Sequence, residues 1–257
     1  MTKVVAVTGA GSGIGRAVAH AFAEEGYRVA VCDLSRERLE LTLSELGPSA
    51  HGEIVDVSDF ESVSSFLENA FARDGQHVLV NNAGVFDGYA GVEDTSRELW
   101  SRVLHINLTG CFYGCKIATQ QMTSRGWGRI INIGSVASFR GRADGLAYST
   151  SKAAMLGLTR RLAVELGPQG VTANIICPGT ISTDIRPNSQ EILTAHGVDM
   201  NRGVGVGLSQ DLQDFVIPAG RRGTTRDVAT LALFLASEQA SYINGQAIGV
   251  DGGWLAA

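Results

Sequence analysis

Tyr148 and Lys152 stand four positions apart in the run Tyr148-Ser149-Thr150-Ser151-Lys152. In a helix of 3.6 residues per turn they share one face, a phenol beside an ammonium. A free phenol has a pKa of about 10 and is a poor base near neutrality. A neighbouring cation favours the phenolate and brings it nearer the range of a working acid–base group. Ser135, upstream, adds a hydroxyl that could donate to a substrate oxygen. The Tyr–Lys pair alone fits the solvated side of an amphipathic helix equally well, so the case for chemistry rests on the elements around it.

The helix-like run carrying the pair, Ala147 to Leu166, stops at Gly167-Pro168, a plausible terminator. At the other end of the chain, Val4 to Val7 reads as a short buried strand. It leads into Thr8-Gly9-Ala10-Gly11-Ser12-Gly13-Ile14-Gly15 and then a helix from Ile14 to about Glu25. Strand, glycine-rich turn and helix N-terminus together make an anion site, with free backbone N–H groups and the helix dipole facing phosphates. The spacing is T-G-x-x-x-G-x-G, carried by Gly9, Gly13 and Gly15. Ile14 occupies the third glycine's place in the commoner G-x-G-x-x-G pattern.

The next strand, Arg28 to Cys32, ends at Asp33, about 20 residues beyond Gly13, where an acid binds the adenosine ribose hydroxyls of a dinucleotide. A 2′-phosphate about 4 Å away would meet a like charge, at roughly 4 kcal/mol per unit charge pair before screening. Leu34 follows directly, and Arg36 and Arg38 lie further into the next helix, so the expected cofactor is NAD. Asp33 could at the same time cap the helix beginning near Ser35.

Further units follow: strand His51 to Asp56, with Asp56-Val57 placed to meet an adenine edge, helix Phe60 to Arg73, and strand His77 to Val80 ending in Asn81-Asn82-Ala83-Gly84. Repeated β-α-β units require a parallel sheet with helices on both faces, and ligands of such sheets bind at the carboxyl ends of the strands. Arg97 to Met122 reads as one long helix, Arg129 to Ile133 and Val171 to Cys177 as strands, Arg226 to Ala236 as a helix, and Gln246 to Val250 as the last strand. The expected fold class is α/β, one domain over residues 1–257 with a doubly wound parallel sheet.

Composition narrows the function classes. Formal net charge is -5 with Lys and Arg scattered, which gives no basic stripe for nucleic acid or anionic lipid. The N-terminal segment has no signal-peptide pattern and no apolar run reaches membrane-spanning length, so a cytoplasmic protein is expected. Cys32, Cys111, Cys115 and Cys177 lack paired C-x-x-C units and read as buried reduced thiols rather than as metal ligands.

Thr8 to Gly15, Asn81-Asn82-Ala83-Gly84, Asn107, Ser135, Tyr148 with Lys152, and Pro178-Gly179 together resemble the short-chain dehydrogenase/reductase family, in the family's order and over nearly the whole chain. The resemblance implies a Rossmann fold with a seven-stranded parallel sheet and NAD(P)-dependent interconversion of carbinol and carbonyl. It implies that Asn82, Ala83 and Gly84 lie by the cofactor, and that Ile181 and Thr183 beyond Pro178-Gly179 lie near the nicotinamide carboxamide. It favours Ser135 over Ser138 as the substrate-binding hydroxyl. Asn107, otherwise a buried amide pairing with backbone, would hold a water linked to Lys152. Lys152 would also bind the nicotinamide ribose. Small residues Ala153, Ala154 and Gly157 after Lys152 permit close helix approach, and the family commonly pairs this helix across subunits; a homotetramer is expected.

Residues 184–218 form the least regular part, with Gly203, Gly205 and Gly207 among apolar Ile192, Leu193, Val204, Val206, Leu208 and Phe215. They read as a lid over a hydrophobic or cyclic substrate. The reaction expected is NAD-dependent oxidation of a secondary alcohol or reduction of a ketone. The rivals are an NADPH-dependent 3-oxoacyl-thioester reductase of the same family and a non-catalytic dinucleotide-sensing protein. A sugar-nucleotide epimerase is disfavoured, because the segment after Lys152 only completes the sheet.

Overall fold

In the computed structural model the β-branched runs form seven parallel strands, β1 (Lys3–Thr8), β2 (Arg28–Asp33), β3 (His51–Ile54), β4 (Gln76–Asn81), β5 (Gly128–Ile133), β6 (Val171–Pro178) and β7 (Ala247–Val250). The structure describes residues 2–72, 75–141, 143–200 and 217–256. The strand order is β3-β2-β1-β4-β5-β6-β7, with register Ala6 opposite Ala30 on one side and opposite Leu79 on the other. Both faces of the sheet are covered, so the central strands β1, β2, β4, β5 and β6 are buried along nearly their whole length rather than on alternate residues, while the edge strands β3 and β7 are partly exposed.

Within β1, Val4 and Ala6 point to one face and Val5 and Val7 to the other. The first face packs under α3 (Phe60–Ala70), α5 (Gly110–Thr123) and α6 (Leu146–Leu166), through Phe66, Leu67, Met122, Met155 and Leu166. The second packs under α1 (Gly13–Glu24), α2 (Arg36–Leu46) and the helix Thr225–Ala236, through Val18, Phe22, Leu39 and Leu235. All four cysteines are buried and free. Among the described residues no helix is long and apolar enough to cross a membrane.

Two elements differ from their sequence expectation. The helix read as continuous from Arg97 to Met122 is α4 (Arg97–Leu104), a π-helical turn over His105–Thr109, and α5. A turn of this kind leaves the apolar repeat almost intact, so the pattern hides it; such turns mark functional positions, and this one carries Asn107. The segment beginning at Asp184, read as irregular, starts with a helix, α7 (Ile185–Ala195), which buries Ser189 and Leu193. Pro187 lies in its first turn, where a missing N–H is tolerated. Gly203, Gly205, Gly207, Val204, Val206, Leu208 and Phe215 lie outside the described residues. The final helix, Thr225–Ala236, is α8; it opens with a reciprocal capping box between Thr224 and Asp227.

Candidate active site

Between β1 and β4 the chain switches from building one side of the sheet to building the other, which opens a crevice beyond the carboxyl ends of the strands. Thr8 Oγ1 accepts the amides of Asn82 and Ala83, both at 3.1 Å, and Asn82 Nδ2 donates to the carbonyls of Thr8 and Gly9, both at 2.9 Å. These bonds fasten the glycine-rich turn to the end of β4. Gly9 has φ 65°, and a Cβ there would stand 2.7 Å from Ala83 Cα. At Gly15 a Cβ would stand 2.3 Å from the Gly9 carbonyl oxygen, so glycine is needed for the turn to close on α1. Ser12, the N-cap of α1, makes no side-chain cap bond, which leaves the first amides of the helix open to an anion.

The crevice is lined by Gly9, Ser12, Gly13, Ile14, Asp33, Leu34, Asp56, Val57, Asn82, Ala83, Gly84 and Thr183, all expected from sequence. Gly15 packs behind it. Asp33 Oδ2 accepts the Gly11 amide and Oδ1 the Ser35 amide, each at 2.9 Å. The cap of α2 is Ser35, whose Oγ accepts from the Arg38 amide. Burial works against the charge on Asp56, but hydrogen bonds from Ser58 and the Arg102 guanidinium hold its carboxyl below the usual range. Open helix amides, a glycine turn and a carboxylate at the end of β2 fit a dinucleotide.

A second cavity continues from the first and is lined by Ser135, Tyr148, Lys152, Pro178, Gly179, Ile181 and Thr183. Ser135 sits just past β5, where its Oγ accepts the Ala137 amide at 3.1 Å and lies near enough to the Tyr148 phenol to pull its pKa down. Ser138 does not line this cavity. Lys152 Nζ donates to the Ile133 carbonyl at 2.8 Å and lies 5.6 Å from the Tyr148 ring centre. Burial lowers the Lys152 pKa to about 8. Burial, then the Asp144 charge, pushes the Tyr148 phenol well above its ordinary range, against the pull of the Ser135 hydrogen bond. In the protein alone these effects outweigh the assistance expected from Lys152.

A buried amide chain holds α6 to the sheet. Asn81 Nδ2 donates to Asn132 Oδ1 at 2.9 Å, and Asn132 Nδ2 donates to Thr159 Oγ1 on α6 at 2.9 Å. Asn107 does not line either cavity. Its Oδ1 accepts the Val85 amide at 2.8 Å, and its Nδ2 donates to the Val85 carbonyl at 2.9 Å and to Ser151 Oγ at 3.1 Å.

Residues 9–255 match the family model described as enoyl-(acyl carrier protein) reductase. The chain is 37% identical to the 3-oxoacyl-(acyl-carrier-protein) reductase FabG of Aquifex aeolicus (strain VF5), over 98% of this chain and 96% of that protein. It is also 37% identical to 2-(S)-hydroxypropyl-CoM dehydrogenase 3 of Xanthobacter autotrophicus (strain ATCC BAA-1158 / Py2), over 99% of this chain and 97% of that one. This chain belongs to the short-chain dehydrogenase/reductase family. A solved structure of a variant actinorhodin polyketide ketoreductase with NADPH matches with TM-score 0.85 and 34% identity, covering 98% of this chain and 97% of that one.

In this short-chain dehydrogenase/reductase one residue weighed from sequence stands elsewhere than expected, and two others carry no sequence signal. Arg38 returns from α2 so that its Nε lies 3.9 Å from Asp33 Oδ1, while its Nη1 pairs with Glu191 of α7 at 2.8 Å. The expectation that Arg38 lies too far into α2 to offset Asp33 is thereby corrected; three positions into a helix is one turn, and that face returns toward the strand end. Asp144 lines the second cavity, its pKa raised to about 7 by burial and by Asp87, against Arg186 and Lys152. Asp87 is buried beside it. Asp87 is brought to Tyr148 only by the fold, whereas Asp144 stands four positions before it, just outside α6.

Proposed function

We propose that this enzyme interconverts a secondary alcohol and a ketone with NAD(H). The observation that carries this reading is the Ser135–Tyr148 hydroxyl pair, buried with Lys152 and facing a cavity continuous with the dinucleotide crevice. Tyr148 takes the hydroxyl proton in oxidation and returns it in reduction, within hydrogen-bond reach of the reacting oxygen. Ser135 donates to the same oxygen and stabilises the charge that develops on it. Lys152 holds the nicotinamide ribose and biases the phenol toward its anion. Bound NAD(H) supplies the two-electron exchange with the carbinol carbon. Pro178, Gly179, Ile181 and Thr183 wall the nicotinamide end. The Asn107 side chain is engaged by Val85 and Ser151, so its role in this reading is to fix the loop after Gly84 against α6.

Phe86, Val136 and Trp254 line the substrate side of the cavity, which supports a hydrophobic or cyclic alcohol. Exposed Ala153, Ala154 and Gly157 on α6, with Phe112 exposed on α5, support pairing of these helices between copies in a homotetramer.

Asp33 supports NAD. A second reading, an NADPH-dependent 3-oxoacyl-thioester reductase, is favoured by the Arg38 guanidinium beside Asp33. The deciding experiment is a panel of linear and cyclic secondary alcohols, diols and 3-hydroxyacyl thioesters, assayed with NAD and with NADP by the absorbance of reduced nicotinamide. Turnover of alcohols with NAD is the expected result. Turnover confined to thioesters with NADP selects the second reading. Tight dinucleotide binding with no turnover on any substrate refutes both and leaves a dinucleotide sensor.

A further inference from the structure

The loop after Gly84 carries a carboxylate to the start of the catalytic helix. Asp87 is 0% exposed, and its Oδ2 accepts the backbone N–H of Tyr148 at 2.9 Å. The N-cap of α6 is Gly145, which has no side chain to offer, yet the first amides of any helix need acceptors from outside it. Asp87 supplies one from a different loop; burial pushes its pKa up, against the pull of the backbone amides of Tyr148, Tyr89 and Ala147. Gly145 admits it: a Cβ there would stand 2.2 Å from Asp87 Oδ1. The same loop grips the helix a second time, because the Leu146 amide donates to the Ala90 carbonyl at 2.9 Å. The loop is itself pinned, at Val85 by Asn107 and at Phe86, whose amide donates to Ser189 Oγ on α7 at 2.8 Å.

We propose that Asp87 is a positioning residue for Tyr148: a carboxylate cap, supplied from outside α6, that sets where the phenol stands and fixes a negative charge behind it. The inference rests on the reading of Tyr148 as the proton-transfer group. Placement of a reacting group governs rate steeply, so a slack helix start acts on turnover more than on dinucleotide affinity. The charge acts separately. Tyr148 faces the carboxyl groups of Asp87 and Asp144, Cys177 from β6, Ser135 from the end of β5, and Lys152 one turn along its own helix. Asp144 in turn faces Asp87, Lys152 and Arg186 of α7. Of these groups, Asp87 touches the backbone of Tyr148 itself.

Three variants separate the roles. Asp87→Asn keeps an oxygen for the Tyr148 amide and removes the charge; Asp87→Ala removes both; Gly145→Ala keeps the carboxylate but drives it off its seat. Each is assayed for kcat, for the KM of dinucleotide and alcohol, for the pH profile of kcat/KM, and for thermal melting. We expect Asp87→Ala and Gly145→Ala to lose about 10–100-fold in kcat with dinucleotide KM within about twofold. Asp87→Asn should recover most of that loss, with the Tyr148 ionisation limb displaced about 0.5–1 unit to lower pH. The proposal is overturned if Asp87→Ala has wild-type kcat, or if Asp87→Asn falls as far as Asp87→Ala with its limb unmoved. Should Asp87→Ala not fold, Gly145→Ala carries the positioning arm, and wild-type kcat there overturns it. Tyr148→Phe is the control: full activity in that variant refutes the catalytic reading itself, whatever the Asp87 series gives.

Discussion

Replacing Asp33 by Asn tests what sets cofactor choice. The carboxylate is held by the Gly11 and Ser35 amides, with side-chain exposure of 11%, so it cannot swing away from an incoming group. A 2′-phosphate about 4 Å from it would pay roughly 4 kcal/mol per unit charge pair at an effective dielectric near 20. Arg38, with its Nε at 3.9 Å, opposes that repulsion with a charge of opposite sign, but Glu191 engages its other end at 2.8 Å. Screening in an open crevice and the Arg38 offset bring the net discrimination to about 1.4–2.8 kcal/mol, or roughly 10–100-fold, since 1.4 kcal/mol is about tenfold. Asp33→Asn removes the repulsion and leaves Arg38 facing the ribose. The ratio of kcat/KM for NADP to that for NAD should rise by about this factor. One of the two amides loses its acceptor, so a stability loss of about 1 kcal/mol accompanies the change. The assay is initial rates with each dinucleotide at subsaturating concentration, with a melting curve alongside. A ratio within about threefold of wild type, in a folded variant, would refute the electrostatic account.

Tyr148→Phe should lower turnover by about 10²–10⁴-fold while leaving the dissociation constant of the dinucleotide within a few-fold, measured by fluorescence titration. Asp144 has a folded-state pKa of about 7 against an ordinary 3.8. The folded state therefore holds the proton longer than the unfolded one, and its charge costs stability as pH rises from about 4 through 7. Asp144→Asn should melt higher than wild type at pH about 8, by an amount worth about 1–3 kcal/mol after allowance for its partial exposure, with the gap closing toward pH about 4. It should also bring the Tyr148 limb of the rate profile to lower pH. Asn132→Ala strands the Asn81 amide and removes the partner of Thr159; denaturant unfolding should show a loss of about 2–4 kcal/mol.

Legibility in the sequence followed the range over which each signal acts. The Gly9–Gly15 turn, Asp33 at its strand end and the Tyr148–Lys152 pair depend on spacing within one or two elements, and the structure places them along one continuous pair of cavities. The expected β3 ran to Asp56 but ends at Ile54, because Asp56 turns away to hydrogen-bond Ser58. Helix α7 was missed because Arg186-Pro187-Asn188-Ser189 resembles a turn, while its buried Ser189 and Leu193 are too few to set a period. Asp87 and Asp144 were invisible for a different reason. The environment of Asp87 is made by the return of β4 and α6 to one point, and Asp144, though only four positions before Tyr148, lies outside the helix, where no spacing rule marks it. Lys152 shows the limit of local reasoning about charge: its spacing does bring it beside Tyr148, but desolvation of the phenol, which spacing cannot express, is the larger effect.

The most direct test of the account is a crystal structure with bound dinucleotide and a ketone or alcohol that the panel finds active. The account predicts the Tyr148 hydroxyl and Ser135 Oγ both within about 3.2 Å of the same substrate oxygen, and Lys152 Nζ on the nicotinamide ribose. A substrate oxygen out of reach of either hydroxyl, or a nicotinamide ring lying away from the end of β5, would contradict it.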